Sequence, residues 1–91
     1  MEENRAGTGE ETRIAVVGII VEKLNAAASV NEILHQYSQY IIGRMGLPYR
    51  EKQVNIISVV LDAPPDVISA ISGKLGRLPG VSSKALYSKQ Q

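Results

Sequence analysis

The chain contains no cysteine, no tryptophan and no phenylalanine, and only one histidine. Without cysteine there is no disulfide, no thiolate metal site and no cysteine nucleophile, a composition that suits the reducing cytoplasm. Apolar runs are short as well. None approaches the roughly 18 residues of a membrane-spanning helix, and the opening "MEENRAGTGEET" lacks the apolar middle of a signal peptide, so a soluble, unexported protein is expected. An excess of either charge is also missing: 10 Lys and Arg stand against 9 Asp and Glu, for a net charge of +1. The basic residues are scattered, which gives no electrostatic footprint for nucleic acid or for a membrane surface. What the chain does have is apolar content, 44% of 91 residues, enough for the core of one small domain.

Residues 1–12 carry almost no apolar side chain, and a mobile tail is expected there, followed by a single domain over 13–88. "RIAVVGIIVE" (13–22) is a β-branched run of strand length. It is apolar at both parities, with Ile14, Val16 and Ile20 on one face and Val17, Ile19 and Val21 on the other, as in a mid-sheet strand covered on both faces. "NAAASVNEILHQYS" (25–38) places Val30, Ile33, Leu34 and Tyr37 in one helical stripe. Either Asn25 caps this helix or Ser29 and Glu32 form a capping box that starts it later, and the alanines favour the longer version. "QYIIGRMGLPY" (39–49) mixes strand formers with two glycines and a proline, the composition of a bulged or edge strand. "VNIISVVLD" (54–62) repeats the pattern of the first strand. "APPDVISAISGKLGRL" (63–78) reads as a second helix, with prolines and Asp66 in its first turn and Val67, Ile68, Ile71 and Leu75 in a stripe. "VSSKALYS" (81–88) alternates as a last strand.

The order βαββαβ predicts an α+β, ferredoxin-like sandwich: a four-stranded antiparallel sheet with two helices on one face and the first and third strands in the middle. Those are the two strands that are apolar at both parities. Two helices cover one face only, so residues on the other face need a partner, and a second copy of the chain is the simplest one. A homo-oligomer, most simply a dimer, is therefore expected.

The stretch "SGKLGRLPGVSSKALY" (72–87) looks like a nucleotide loop, with glycines flanking a lysine. A phosphate loop, however, leads from a strand into a helix N-terminus, and its lysine precedes Ser or Thr. Here the order is helix to strand, and Leu75 follows Lys74. Lys74 and Arg77 suit the negative end of a helix, and Pro79-Gly80 makes a turn.

A helix ending in "LPGV" before the last strand of a βαββαβ unit resembles the ACT-like regulatory domains, which include the C-terminal domain of the nickel-responsive repressor. More specifically, "VNEILHQYS" (30–38), "RMGLPYRE" (44–51) and "ISGKLGRLPGVSSK" (71–84) resemble the family of small iron-only hydrogenase system regulators over about residues 13–88. The resemblance implies the ferredoxin-like fold, oligomers built through the sheet, and a transcription-linked regulatory role with a small-molecule effector. It also implies a ligand near the first strand-to-helix loop, here Glu22, Lys23, Leu24 and Asn25. The nickel chemistry does not carry over: that repressor's site uses several histidines and a cysteine, and this chain has one His and no Cys. Its DNA-reading part is missing too, since residues 1–12 are too few for any helical reader, and no direct DNA binding by the chain is expected.

His35 is expected on the outer side of the first helix, as a bystander. It would join a metal site only if Glu32, Asp62 or His35 of a second copy came to it across an interface, so no metal and no other cofactor is expected. Serine catalysis would need that same histidine, and no nucleophile elbow is present, so the chain does not read as an enzyme. Arg44, Tyr49, Arg50, Glu51 and Lys52 gather around the turn between the second and third strands, either as a solvated hairpin or as a rim that recognises a protein partner or an anion. Two classes of function follow: a ligand-responsive oligomeric regulatory module, and a purely structural oligomerisation module with no ligand.

Overall fold

A computed structural model of the chain describes residues 11–89. Of the tail expected over 1–12, only Glu11 and Thr12 fall within the described residues. The elements are β1 (Arg13–Val21), a 3-10 turn (Leu24–Ala26), α1 (Ala27–Gln36), a second 3-10 turn (Ser38–Tyr40), β2 (Ile41–Tyr49), β3 (Val54–Ala63), α2 (Pro65–Gly76) and β4 (Val81–Tyr87). All strand pairs are antiparallel, in the order β2-β3-β1-β4. This is the expected ferredoxin-like sheet, with β1 and β3 central.

Neither helix start expected for α1 is used. Asn25 lies inside the 3-10 turn, Ser29 lies inside the helix, and the N-cap is Ala26, with no side-chain hydrogen bond. A 3-10 turn that runs straight into an α-helix passes its carbonyls on to the first helical N–H groups, so the capping side chain is dispensable. α2 starts as its sequence predicts, with Pro65 in its first turn beside Asp66. Its glycines do not serve close packing: a Cβ at Gly76 would meet nothing within 4 Å. β2 is an edge strand, and it is bulged. Ile41 pairs with Leu61 and Gly43 with Val60, so Ile42 is the extra residue.

The core lies between the sheet and the helices. Val17, Ile19 and Val21 of β1 and Val59, Leu61 and Ala63 of β3 pack against Val30 and Leu34 of α1 and Ile68, Ile71 and Leu75 of α2, all of them buried. The odd-numbered residues of β1, β3 and β4 thus face the helices. As expected of two helices, which span only one side of the sheet, none of the described residues covers its other face. Adjacent residues show the contrast, with Ile19 1% exposed and Ile20 43%. Ile14, Val16 and Ile56 are also open on the bare face, together with Met45 and Leu47 of β2 and Leu86 of β4.

The bare face is not flat. Pairing places Met45, Ser58, Gly18 and Lys84 in one row across the four strands, between the row of Leu47, Ile56, Ile20 and Ser82 and the row of Gly43, Val60, Val16 and Leu86. Gly18 is small, and beside it lies a hollow of about 400 Å³ lined by Gly18, Ile20, Ile56, Ser82 and Lys84. Among the described residues no helix is long and apolar enough to cross a membrane.

Candidate functional site

The basic stretch after α2 is structural. Lys74 Nζ donates a hydrogen bond of 2.7 Å to the Tyr37 hydroxyl and lies 5.0 Å from the ring centroid, so its charge helps to join α2 to the end of α1. Gly80 has a φ of 77°, which glycine adopts without a Cβ penalty, and its carbonyl accepts a 2.7 Å hydrogen bond from Glu22 N–H. Lys23 lies across this turn with its stem close against Gly80. Glu22 and Lys23, both expected near a ligand, therefore help to hold the β1 exit against the turn before β4.

A groove lies at the other edge of the helix layer. Helix α2 packs mainly on β4, and β2 leaves the covered zone early: every residue from Arg44 to Tyr49 is exposed. Beyond the bulge, Arg44, Gly46 and Pro48 stand opposite Val59, Ile57 and Asn55, on the helix side of the sheet. A hollow of about 270 Å³ results, walled by Ala27 and Asn31 of α1, floored by Gly46, Asn55 and Ile57, and flanked by Arg44 and Pro48. A second hollow of about 400 Å³ shares Pro48 and Asn55 and continues to the hairpin, where Leu24, Tyr49, Arg50, Gln53 and Val54 line it.

The two expected clusters thus meet in part. Leu24, from the β1–α1 loop, shares a hollow with Tyr49 and Arg50, and Arg44 lines the adjoining one. Glu22, Lys23, Asn25 and Lys52 line neither. Arg44 Nη2 donates to Asn31 Oδ1, which fixes the guanidinium at the mouth of the groove. Glu51 accepts a hydrogen bond from the Tyr49 phenol, which holds that group's pKa above its ordinary value of 10.0. His35 is exposed on α1, and among the described residues no three His, Cys, Asp or Glu side chains gather as metal ligands would.

Sequence reading missed Asn31, Gly46, Pro48, Gln53 and Asn55. Two of them carried a signal: Gly46 interrupts a strand, and Asn55 interrupts the apolar run "VNII". Asn31 and Gln53 did not, because a polar residue on a helix surface or in a hairpin is ordinary.

No curated protein matches the chain. Among solved structures, the uncharacterized protein TM1266 from Thermotoga maritima superposes with a TM-score of 0.83 at 41% identity, over 87% of this chain and all of that one. The C-terminal domain of the MgtC protein from Mycobacterium tuberculosis follows with a TM-score of 0.69 at 16% identity, over 89% of this chain and 93% of that one. A formyltetrahydrofolate deformylase from Pseudomonas putida KT2440 gives 0.62 at 11% identity, over 86% of this chain and 30% of that one. The last two show a shared ACT- and ferredoxin-like fold and nothing more. Residues 13–85 match the TM1266-like family, described as "Iron-only hydrogenase system regulator, putative". With that match over most of its length and a 41% identical relative covered from end to end, the chain belongs to the TM1266-like family.

Proposed function

We propose that the chain is a non-catalytic regulatory module of an iron-only hydrogenase system, active in the cytoplasm, which self-associates through its bare sheet face and responds to a small effector in the groove beside β2. One observation carries this reading: the central strands expose Ile14, Val16, Ile20 and Ile56 on a face that none of the described residues covers. Aliphatic side chains aligned on a sheet are stabilised by cover, and a second copy supplies an identical surface under two-fold symmetry. The hollow at Gly18 supports the same reading, since an apolar side chain of one copy can enter the hollow of the other.

The groove supplies the response. Tyr49 and Val54 lie opposite each other on the bare side of the sheet, yet they line the same hollow as Pro48 and Asn55 on the helix side. An occupant of that hollow would bear on the hairpin from both sides and so alter the margin of the assembling face. The chain would act on transcription through a protein partner rather than by reading DNA itself, for the described residues form neither a basic stripe nor a reading helix.

Sedimentation velocity and thermal shift together test the reading. The protein should sediment as a dimer or larger at tens of micromolar, and an effector that binds only the folded state should raise the melting temperature by mass action. A monomer at that concentration would refute assembly through the bare face. A stable oligomer that no amino acid, nucleotide or organic acid stabilises would favour the purely structural module instead.

A further inference from the structure

Gly46 serves no purpose in the fold. Its φ is not in the left-handed region, and a Cβ built on it would meet no atom within 4 Å. A β-branched residue would fit and would favour the strand, whereas glycine in a strand weakens it and marks a place where something approaches the backbone closely. What glycine does here is keep open the floor of the hollow between α1 and β2.

The walls have one sign of charge. Arg44 stands two residues from Gly46 on the same side of the strand, and its only hydrogen-bond partner among the described residues is the neutral amide of Asn31. A guanidinium has five N–H donors, so most of them remain available. Because Asn31 Oδ1 is taken, the side-chain N–H₂ of Asn31 is left as a further donor. Arg50, in the adjoining hollow, has no side-chain partner among the described residues, and no carboxylate lines either hollow.

Resting on the reading of the groove as the effector site, we infer that its ligand is a small organic anion. The carboxylate or phosphate group is held by Arg44 with the amides of Asn31 and Asn55, and the apolar body lies over Gly46 against Pro48, Ile57 and Leu24. A fixed guanidinium flanked by amides pairs with a planar or tetrahedral oxyanion through charge-assisted hydrogen bonds.

The test is an amide NMR titration of the full chain with benzoate, phenyl phosphate, inorganic phosphate and, as a neutral control, benzamide. Benzoate or phenyl phosphate should shift the amide resonances of Asn31, Gly46 and Asn55 saturably, and benzamide should not. Whichever of the two binds more tightly assigns the anion as carboxylate or phosphate, and inorganic phosphate should bind more weakly for want of a body. Arg44→Met should weaken binding about tenfold or more. Gly46→Val should abolish it while leaving the spectrum of the fold intact and the melting temperature unchanged or raised. No saturable shift in the low-millimolar range with either aromatic anion, or shifts unchanged in Gly46→Val, would overturn the inference. Sedimentation of the same samples separates the two readings. Anion binding by a monomer leaves the site standing and removes the assembly; a dimer blind to anions does the reverse.

Discussion

Replacing Ile19 and, separately, Ile20 by aspartate puts the same carboxylate on opposite faces of one strand. Ile19 is 1% exposed beneath the helices, whereas Ile20 is 43% exposed on the bare face. Removing a buried isoleucine side chain costs about 2–5 kcal/mol, and a carboxyl left in an apolar core without partners costs several more. That sum rivals the whole stability of a small domain, about 5–15 kcal/mol, so Ile19→Asp should not fold at neutral pH. Ile20→Asp costs the isolated chain little, and its effect falls on assembly. Ile14, Val16, Ile20 and Ile56 are 36 to 43% exposed, and Met45, Leu47 and Leu86 are 52 to 71% exposed. At about 2 kcal/mol for each fully buried side chain, covering them recovers roughly 7 kcal/mol per copy, or roughly 14 for a pair. The cost of association is about 4–15 kcal/mol, so the margin is thin. Two interfacial carboxylates, at about 2 kcal/mol each after relaxation, should raise the dissociation constant by about three orders of magnitude. Circular dichroism melts and sedimentation equilibrium across the micromolar range read both effects. The reasoning fails if Ile20→Asp melts as early as Ile19→Asp, or if it sediments as the unmodified protein does.

Three further outcomes follow from local geometry. Gly80→Ala sets a Cβ 2.5 Å from the Lys23 side chain at a φ of 77° and should cost about 2 kcal/mol, seen as a lower urea midpoint at unchanged slope. A loss below about 0.5 kcal/mol would mean that the turn relaxes freely. The Tyr49 phenol should ionise above its ordinary value of 10.0 and return toward it in Glu51→Gln, followed by absorbance at the tyrosinate band. The sign is that of a raised acid: the phenol–carboxylate bond is intact below pH 10.0 and is lost as the pH climbs through the raised value, so a Tyr49 ionisation at or below 10.0, isolated as the difference from Tyr49→Phe, would contradict the contact. Zinc and nickel should bind only weakly by calorimetry, since a closed site takes about four ligands and the chain offers one imidazole and no thiolate. Submicromolar binding that survives His35→Ala would reveal a carboxylate site.

The topology was legible because apolar residues at both parities can be placed only in the middle of a sheet, and β1 and β3 alone carry them. Which face the helices take was harder to read, since Ile14, Val16 and Ile20 are as apolar as Val17, Ile19 and Val21. The signal was nevertheless there: Asp62 and Lys84 share the even parity of the bare face, while the alanines at 15, 63 and 85 lie where the helices approach. The start of α1 was misread because a 3-10 turn leaves no mark as strong as a capping serine. The site was legible only in pieces. Arg44, Tyr49, Arg50 and Leu24 stood out as charge, aromatic and loop residues, but the groove joins α1, β2 and β3, and only the fold brings Asn31 and Asn55 beside Arg44.

The bulge at Ile42 decides where the chemistry of β2 is delivered. Because side chains alternate along a strand, the one unpaired residue exchanges the two sides for everything after it. Counted without Ile42 as an extra, the register would send Arg44, Gly46 and Pro48 to the bare side and Met45, Leu47 and Tyr49 into the groove. A cation would then sit among the aliphatic ridges, and Met45 and Leu47 would turn toward the helix side of the sheet. Drawing Ile42 into the ladder opposite Val60 would remove no cation and no groove-lining side chain, yet it would move both properties to the wrong address, whereas deleting Ile42 would leave Arg44 opposite Val59. In this strand the register set by the bulge, as much as the identity of its residues, decides which surface binds and which one assembles.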